Sequence, residues 1–186
     1  MFGLIIVIAI IVIVGLFWML TYNSLVKLRN WIEEAWAQIE VQLKRRYDLI
    51  PNLVETVKGY SKHEQETLQK VIETRNQIGS PTLDVSRNEQ MQANDALSGA
   101  LRQVFALSES YPDLKANQQF NQLQEELVGT ENKIAYSRQL YNKTVLDYNN
   151  KIQTVPSNLV ASVHKFTKQN MLTTAKEEQE PIKVQF

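Results

Sequence analysis

Glu131 and Arg138 are the residues of this chain whose type and spacing most invite a chemical reading. They lie seven positions apart within the cleanest apolar stripe of the sequence: Leu127, Ile134, Tyr141, Val145, Tyr148 and Ile152. Helical geometry therefore predicts both charges on the buried face, two turns apart. Charges at core positions are costly unless paired. The expectation is an intrabundle polar network in which Glu131 and Arg138 meet partners on an earlier helix, such as Arg46 or Asp48. Asn52, Asn142 and Asn149 add hydrogen-bonding capacity to the same accounting. Such a network fixes helix register, as polar core residues do in coiled coils. A ligand site or enzyme active site built on Glu131 and Arg138 is the alternative.

Other chemistry was sought and is missing from the pattern. A di-metal carboxylate bundle needs Glu-x-x-His on its helices. The residue three before His63 is Tyr60, and three before His164 is Ala161. The zinc-protease pattern H-E-x-x-H fails at His63-Glu64, which is followed by Gln65, Glu66 and Thr67. There is no cysteine, which removes disulfides, thiolate metal sites and thiol catalysis together. No P-loop, dinucleotide fingerprint or nucleophile elbow occurs. The sequence thus predicts a protein that is not an enzyme, with no cofactor, no metal and no small-molecule substrate identified. Lys44-Arg45-Arg46 is the one dense basic cluster, read as solvated or intrabundle.

Lys+Arg and Asp+Glu each number 20, so the net charge is zero and the broad basic footprint of a nucleic-acid binder is lacking. Six glycines and five prolines allow few turns, which points to long helices.

Residues Met1 to Val26 contain no charged side chain, and Phe2 to Leu20 is continuously apolar. About nineteen residues suffice to cross a hydrocarbon core as a helix. Trp18 and Tyr22 sit where a headgroup-level aromatic belt belongs. A cleaved signal peptide is disfavoured: no Lys or Arg precedes the run, the run exceeds a usual h-region, and no A-x-A-like site follows. Gly3 and Gly15 make no G-x-x-x-G pair, so the anchor offers no specific dimer signal. Lys27 and Arg29, then Lys44, Arg45 and Arg46, follow the span and favour an outside N-terminus with the remainder in the cytoplasm.

Past the anchor, Ile32, Trp36, Ile39, Leu43, Tyr47, Ile50, Val54 and Val57 recur in steps of three and four, the signature of an amphipathic helix. Beside them Glu40, Lys44 and Asp48 form a solvated i,i+4 ladder. A kink is expected at Pro51 and a bend at Gly59, before a capping-box pattern at Ser61-Lys62-His63-Glu64. Gly79-Ser80-Pro81 ends the segment. Ser86-Arg87-Asn88-Glu89 is a second capping box opening a second helix, with Ala93, Leu97, Ala100, Val104 and Leu107 as its buried face. Pro112 suits a first helical position and is expected to open the third helix. Val155-Pro156 ends that helix, and a short fourth begins near Leu159. From about Thr167 the chain reads as a polar, loosely held tail.

At normal helix rise the first helix beyond the membrane reaches roughly 85 Å and the third roughly 65 Å. The predicted fold is all-α: an N-terminal transmembrane helix, then an elongated antiparallel bundle of three long helices plus a short fourth. The predicted domains are an anchor over 1–21, a helical domain over 22–165 and a tail over 166–186. The expected contacts are the lipid bilayer through residues 2–20 and a protein partner or a second copy.

Several stretches carry a family resemblance. Tyr22-Asn23-Ser24-Leu25-Val26, Arg29-Asn30 and the unbroken run from Ala35 to Val54 resemble the LemA family. So do Tyr111 to Asn117, Leu123 to Glu126, Thr130 to Ala135, Arg138, Tyr141-Asn142 and Tyr148-Asn149. The segment after His164 departs from the family's pattern, which often shows a Phe-Gly-Phe-like element and an acidic aromatic run. The resemblance implies a bacterial inner-membrane protein with one span and a cytoplasmic helical bundle, and it implies no established biochemical activity. The roles it suggests are scaffolding or partner binding at the membrane, with links to organelle formation in some members. An alternative role as regulator or partner of a membrane protease follows from similar proteins encoded beside one.

Overall fold

The computed structural model describes residues 1–60, 64–78 and 85–173. Six helices account for most of them: α1 (Phe2–Lys58), α2 (Gln65–Ile78), α3 (Arg87–Leu107), α4 (Pro112–Lys115), α5 (Gln118–Gln153) and α6 (Ser157–Val163). No strand occurs among the described residues. The protein is an all-α helical bundle.

The span and the first amphipathic helix are one element, because α1 runs unbroken from the apolar stretch through Pro51 to Lys58. Proline inside a helix forfeits one backbone hydrogen bond. Here Ile50, Leu53, Val54 and Val57 flank Pro51 and are all buried, so tertiary packing holds the helix through it. The helix then stops at Lys58, where the sequence predicted only a bend. Tyr60 N–H closes a turn onto the Val57 carbonyl at 3.0 Å. Ser61, Lys62 and His63, and the expected stop at Gly79-Ser80-Pro81, lie outside the described residues.

The chain divides into two compact units. The first comprises residues 1–37 and 138–171. In it the start of α1 and the end of α5 run antiparallel: Trp36 meets Tyr141 edge-on with centroids 6.2 Å apart, and Lys151 Nζ reaches the Ser24 hydroxyl. Leu25, Val160 and Ala161 form a small core joined by Trp18, Ile152 and Phe166.

After α6 the chain turns sharply. Lys165 adopts a left-handed backbone at φ 55°. Phe166 N–H donates to the Ala161 carbonyl at 2.9 Å, and Lys165 N–H to the Ser162 carbonyl at 3.2 Å. That pair of bonds is a Schellman cap, with lysine where glycine is usual. The cap drops Phe166 onto Tyr22 and Tyr148, edge-on in both cases. Beyond it the backbone returns alongside α5. Tyr148 donates to the Thr167 carbonyl at 3.0 Å and Tyr141 to the Asn170 carbonyl at 3.3 Å. Asn149 grips Gln169 from both sides, donating to its carbonyl at 2.8 Å and accepting from its N–H at 2.9 Å. Residues 166–171 are therefore fastened side chain to backbone, where the sequence predicted a loose tail. The rest of the expected tail, 174–186, lies outside the described residues.

The second unit comprises the described residues within 38–137, with 172 and 173. Its core gathers Ile50, Leu53, Val54 and Val57 from α1, Leu68 and Val71 from α2, and Leu97, Ala100, Leu101 and Val104 from α3. Leu114, Phe120, Leu123 and Leu127 complete it. The capping box at α3 is present as the sequence predicted: Glu89 N–H donates to Ser86 Oγ at 3.3 Å, and Ser86 N–H donates to Glu89 Oε2 at 2.8 Å. The buried face of α3 is rotated from expectation, being Met91, Asn94, Leu97, Ser98, Leu101 and Val104 together with Ala100, while Ala93 and Leu107 are half-buried. Pro112 opens only the single turn of α4, and α5 begins at Gln118 instead. The reason is Asn117, whose Oδ1 accepts from Phe120 N–H at 2.9 Å and caps the new helix.

Candidate functional site

The three consecutive basic residues of α1 separate into three environments, because a helix turns about 100° per residue. Lys44 is exposed and pairs with Asp48 at 3.0 Å, one i,i+4 turn away. Arg45 makes an ion pair with Glu126 on α5. Arg46 falls in register with Leu43 and Ile50 and is 1 % exposed.

Arg46 is among the largest fully buried side chains of the described residues. One terminal nitrogen donates to Asn94 Oδ1 at 2.9 Å, and the other lies 3.7 Å from Glu131 Oε2. Asn94 is 2 % exposed, whereas the Glu131 side chain is 38 % exposed. The guanidinium therefore has one dry, neutral partner and one longer, partly screened ionic one. Its Nε is buried without a hydrogen-bond partner. Burial pulls the Arg46 pKa down, and the carboxylates of Glu131 and Asp95 oppose that pull. Ser98 lies one turn beyond Asn94 and donates to the Asn94 carbonyl at 3.2 Å.

The residues expected to form the polar network are thus distributed, with Asn149 spent on Gln169. Arg46 and Glu131 approach one another. Asp48 and Asn52 are exposed on α1, with Asp48 turned to Lys44. Arg138 is buried and Asn142 half-buried on the part of α5 that belongs to the first unit. Asn94 is the partner that sequence reasoning missed. Its signal was available as spacing, since Met91, Asn94, Leu97 and Leu101 step by three, three and four. The cluster holds the Arg46 cation inside the core against a neutral amide, with one partly exposed carboxylate at longer range.

A second polar contact lies where the apolar run of α1 ends. Trp18 Nε1–H donates to His164 Nε2 at 3.1 Å, and the Tyr22 ring stands 4.6 Å from the imidazole, centroid to centroid. Nearby, Arg29 lies over the Phe166 ring at 5.7 Å. Burial raises the Tyr148 phenol pKa and Arg29 partly offsets it, so the hydroxyl stays protonated and donates to Thr167. Among the described residues, α1 is the helix long and apolar enough to cross a membrane by length and composition, and none of its most apolar window is buried.

Helices of this length, with a fastened return strand and an unpacked apolar end, define a helical-bundle protein with a candidate membrane segment. The family model of the LemA family matches residues 35–186. A relative called Protein LemA, from Metamycoplasma hominis, is 31% identical over 140 residues, which are 75% of the present chain and 63% of the relative. The chain thus spans less than two thirds of that relative's length. The chain belongs to the LemA family.

Proposed function

We propose that the chain is a single-pass membrane-anchored scaffold or adaptor. Residues 2–20 hold it in the bacterial cytoplasmic membrane with the N-terminus outside, and the helical bundle offers a protein-binding surface on the cytoplasmic side. The observation carrying this reading is the continuity of α1. One helix leads from a run of exposed Leu, Ile and Val side chains directly into the buried stripe Ile32, Ala35, Trp36, Ile39. Apolar side chains on every face of a helix are stable in hydrocarbon and costly in water. Lys27 and Arg29, immediately past the run, support the orientation. Val41, Val128 and Tyr136 are exposed apolar side chains on the bundle and serve as positions from which to seek a protein partner.

In-cell crosslinking with a photoreactive amino acid at Val41, Val128 or Tyr136, read by mass spectrometry, tests the adaptor role. Adducts concentrated on one membrane protein, or on copies of this chain, are the expected result. Adducts scattered over abundant cytosolic proteins would remove the reading.

A further inference from the structure

Helix α6 has two faces. Ser157, Val160 and Ala161 are buried in the first unit. On the opposite side, Leu159 is 60 % exposed and Val163 63 %, and Val155 in the preceding turn is 80 % exposed. Three large apolar side chains within nine residues are thus left open to the surroundings, on a helix whose inner face is already satisfied.

Where this face stands decides what covers it. The inner residues Val160 and Ala161 pack on Leu25, with Trp18 and Ile152 beside them. His164, at the end of α6, accepts from Trp18. Residues 18 to 25 of α1 cover about 10 Å of helix rise. The apolar run ends at Leu20, inside that interval. Helix α6 is therefore docked at the level where the candidate span emerges.

We propose that α6 and the turn before it are a membrane-interface element, with Val155, Leu159 and Val163 inserted among lipid headgroups and upper acyl chains beside the anchor. The inference rests on the reading of residues 2–20 as a membrane span. If that span is in a bilayer, its last turn lies at the hydrocarbon boundary, and a helix docked beside Trp18 turns its outer face to lipid. The aromatic pair Trp18 and Tyr22 is of the kind enriched at that depth. Exposed Lys165 and Lys168 flank the face and match anionic headgroups. An interfacial helix sinks its apolar side about 5–10 Å into the headgroup boundary, the placement proposed for Leu159 and Val163. The Trp18–His164 bond and the Schellman cap at Lys165 hold the element in that place.

The chain has no cysteine, so one introduced thiol gives a unique probe. The full chain is reconstituted in vesicles of phosphatidylethanolamine and phosphatidylglycerol. An environment-sensitive fluorophore is attached through Leu159→Cys or Val163→Cys, with Ile10→Cys in the span and Val128→Cys on α5 as references. Lipids carrying a spin label near the top of the acyl chain supply the quencher for 159, 163 and 128, and lipids labelled near the chain's end supply it for 10, which lies about 15 Å of helix rise from the end of the span. The expected result is blue-shifted emission at 159 and 163 and quenching several-fold stronger than at 128. Quenching at 10 with none beyond the Val128 level at 159 and 163 would overturn the proposal and leave the anchor standing. Shielded but unquenched labels at 159, together with oxidative dimers of the Leu159→Cys chain, would assign the face to a second copy and overturn it as well. An unquenched label at 10 would remove the anchor reading and this inference with it.

Discussion

Arg46 and Asn94 share a single hydrogen bond of 2.9 Å between two side chains that solvent barely reaches. The arrangement puts a permanent charge in the core against a neutral acceptor, so its cost is held down by one amide together with the more distant carboxylates of Glu131 and Asp95. Asn94→Ala removes that acceptor and leaves a buried cation. The expected loss is about 2–3 kcal/mol by denaturant unfolding. Arg46→Met combined with Asn94→Leu fills the same space with apolar atoms and is expected to cost less than Asn94→Ala alone. Glu131→Gln, at 3.7 Å and on a side chain more than a third exposed, is expected to cost under about 1 kcal/mol.

Ser86 and Glu89 cap α3 reciprocally. Ser86→Ala is expected to cost about 1 kcal/mol. The side-chain and backbone hydrogen bonds from Ser86 hold the Glu89 carboxyl below its ordinary pKa. A depressed carboxylate adds stability above its unfolded pKa and loses it as pH falls through the folded value. Thermal unfolding followed from neutral pH downward is therefore expected to fall through the acidic carboxylate range. Glu89→Gln is expected to flatten part of that slope.

Asn149 fastens the return strand through both atoms of its amide. Asn149→Ala is expected to release the Gln169 N–H and to raise its hydrogen exchange by about tenfold or more, corresponding to about 1.4 kcal/mol. The amides of α5 itself should exchange as before. Unchanged protection at Gln169 would mean that the two tyrosine bonds alone hold the strand.

Lys165 carries a left-handed backbone that costs an ordinary residue about 1–2 kcal/mol. Lys165→Gly relieves the strain and adds unfolded-chain entropy, so a net change within about 1 kcal/mol on the stabilising side is expected. Lys165→Ile places a β-branched side chain there and is expected to destabilise by about 1–2 kcal/mol. A melting-temperature series over the three residues checks the order Gly, Lys, Ile.

Much of this was legible in the residues. The steps of three and four gave the buried face of α1 from Ile32 to Val57 and of α5 from Leu127 to Ile152, because burial selects side chains once per turn. Ser86 and Glu89 announced their cap through side-chain chemistry alone. Pro112 misled, since a proline suits the first position of a one-turn helix as well as of a long one, and Asn117 made the choice by capping Phe120. The segment after Phe166 misled too. Its carbonyls are held by Tyr141, Tyr148 and Asn149, and side-chain-to-backbone bonding leaves no periodic trace in the segment that is bound. Arg46 was legible in part: it was expected as an intrabundle partner of Glu131, and the steps from Leu43 to Arg46 and on to Ile50 place it inside, whereas its neutral partner Asn94 carries no charge to draw attention.

Attachment through residues 2–20, with the bundle on the cytoplasmic side, is the claim on which the functional reading depends. The direct measurement is thiol accessibility in intact cells expressing the full chain, with Phe2→Cys or Tyr136→Cys and a membrane-impermeant maleimide, on membranes washed at alkaline pH. Labelling of position 2 from outside, of position 136 only after permeabilisation, and retention of both chains in the washed membrane is the predicted result. Release of the chain into the alkaline wash, or labelling of position 136 from outside, would contradict it.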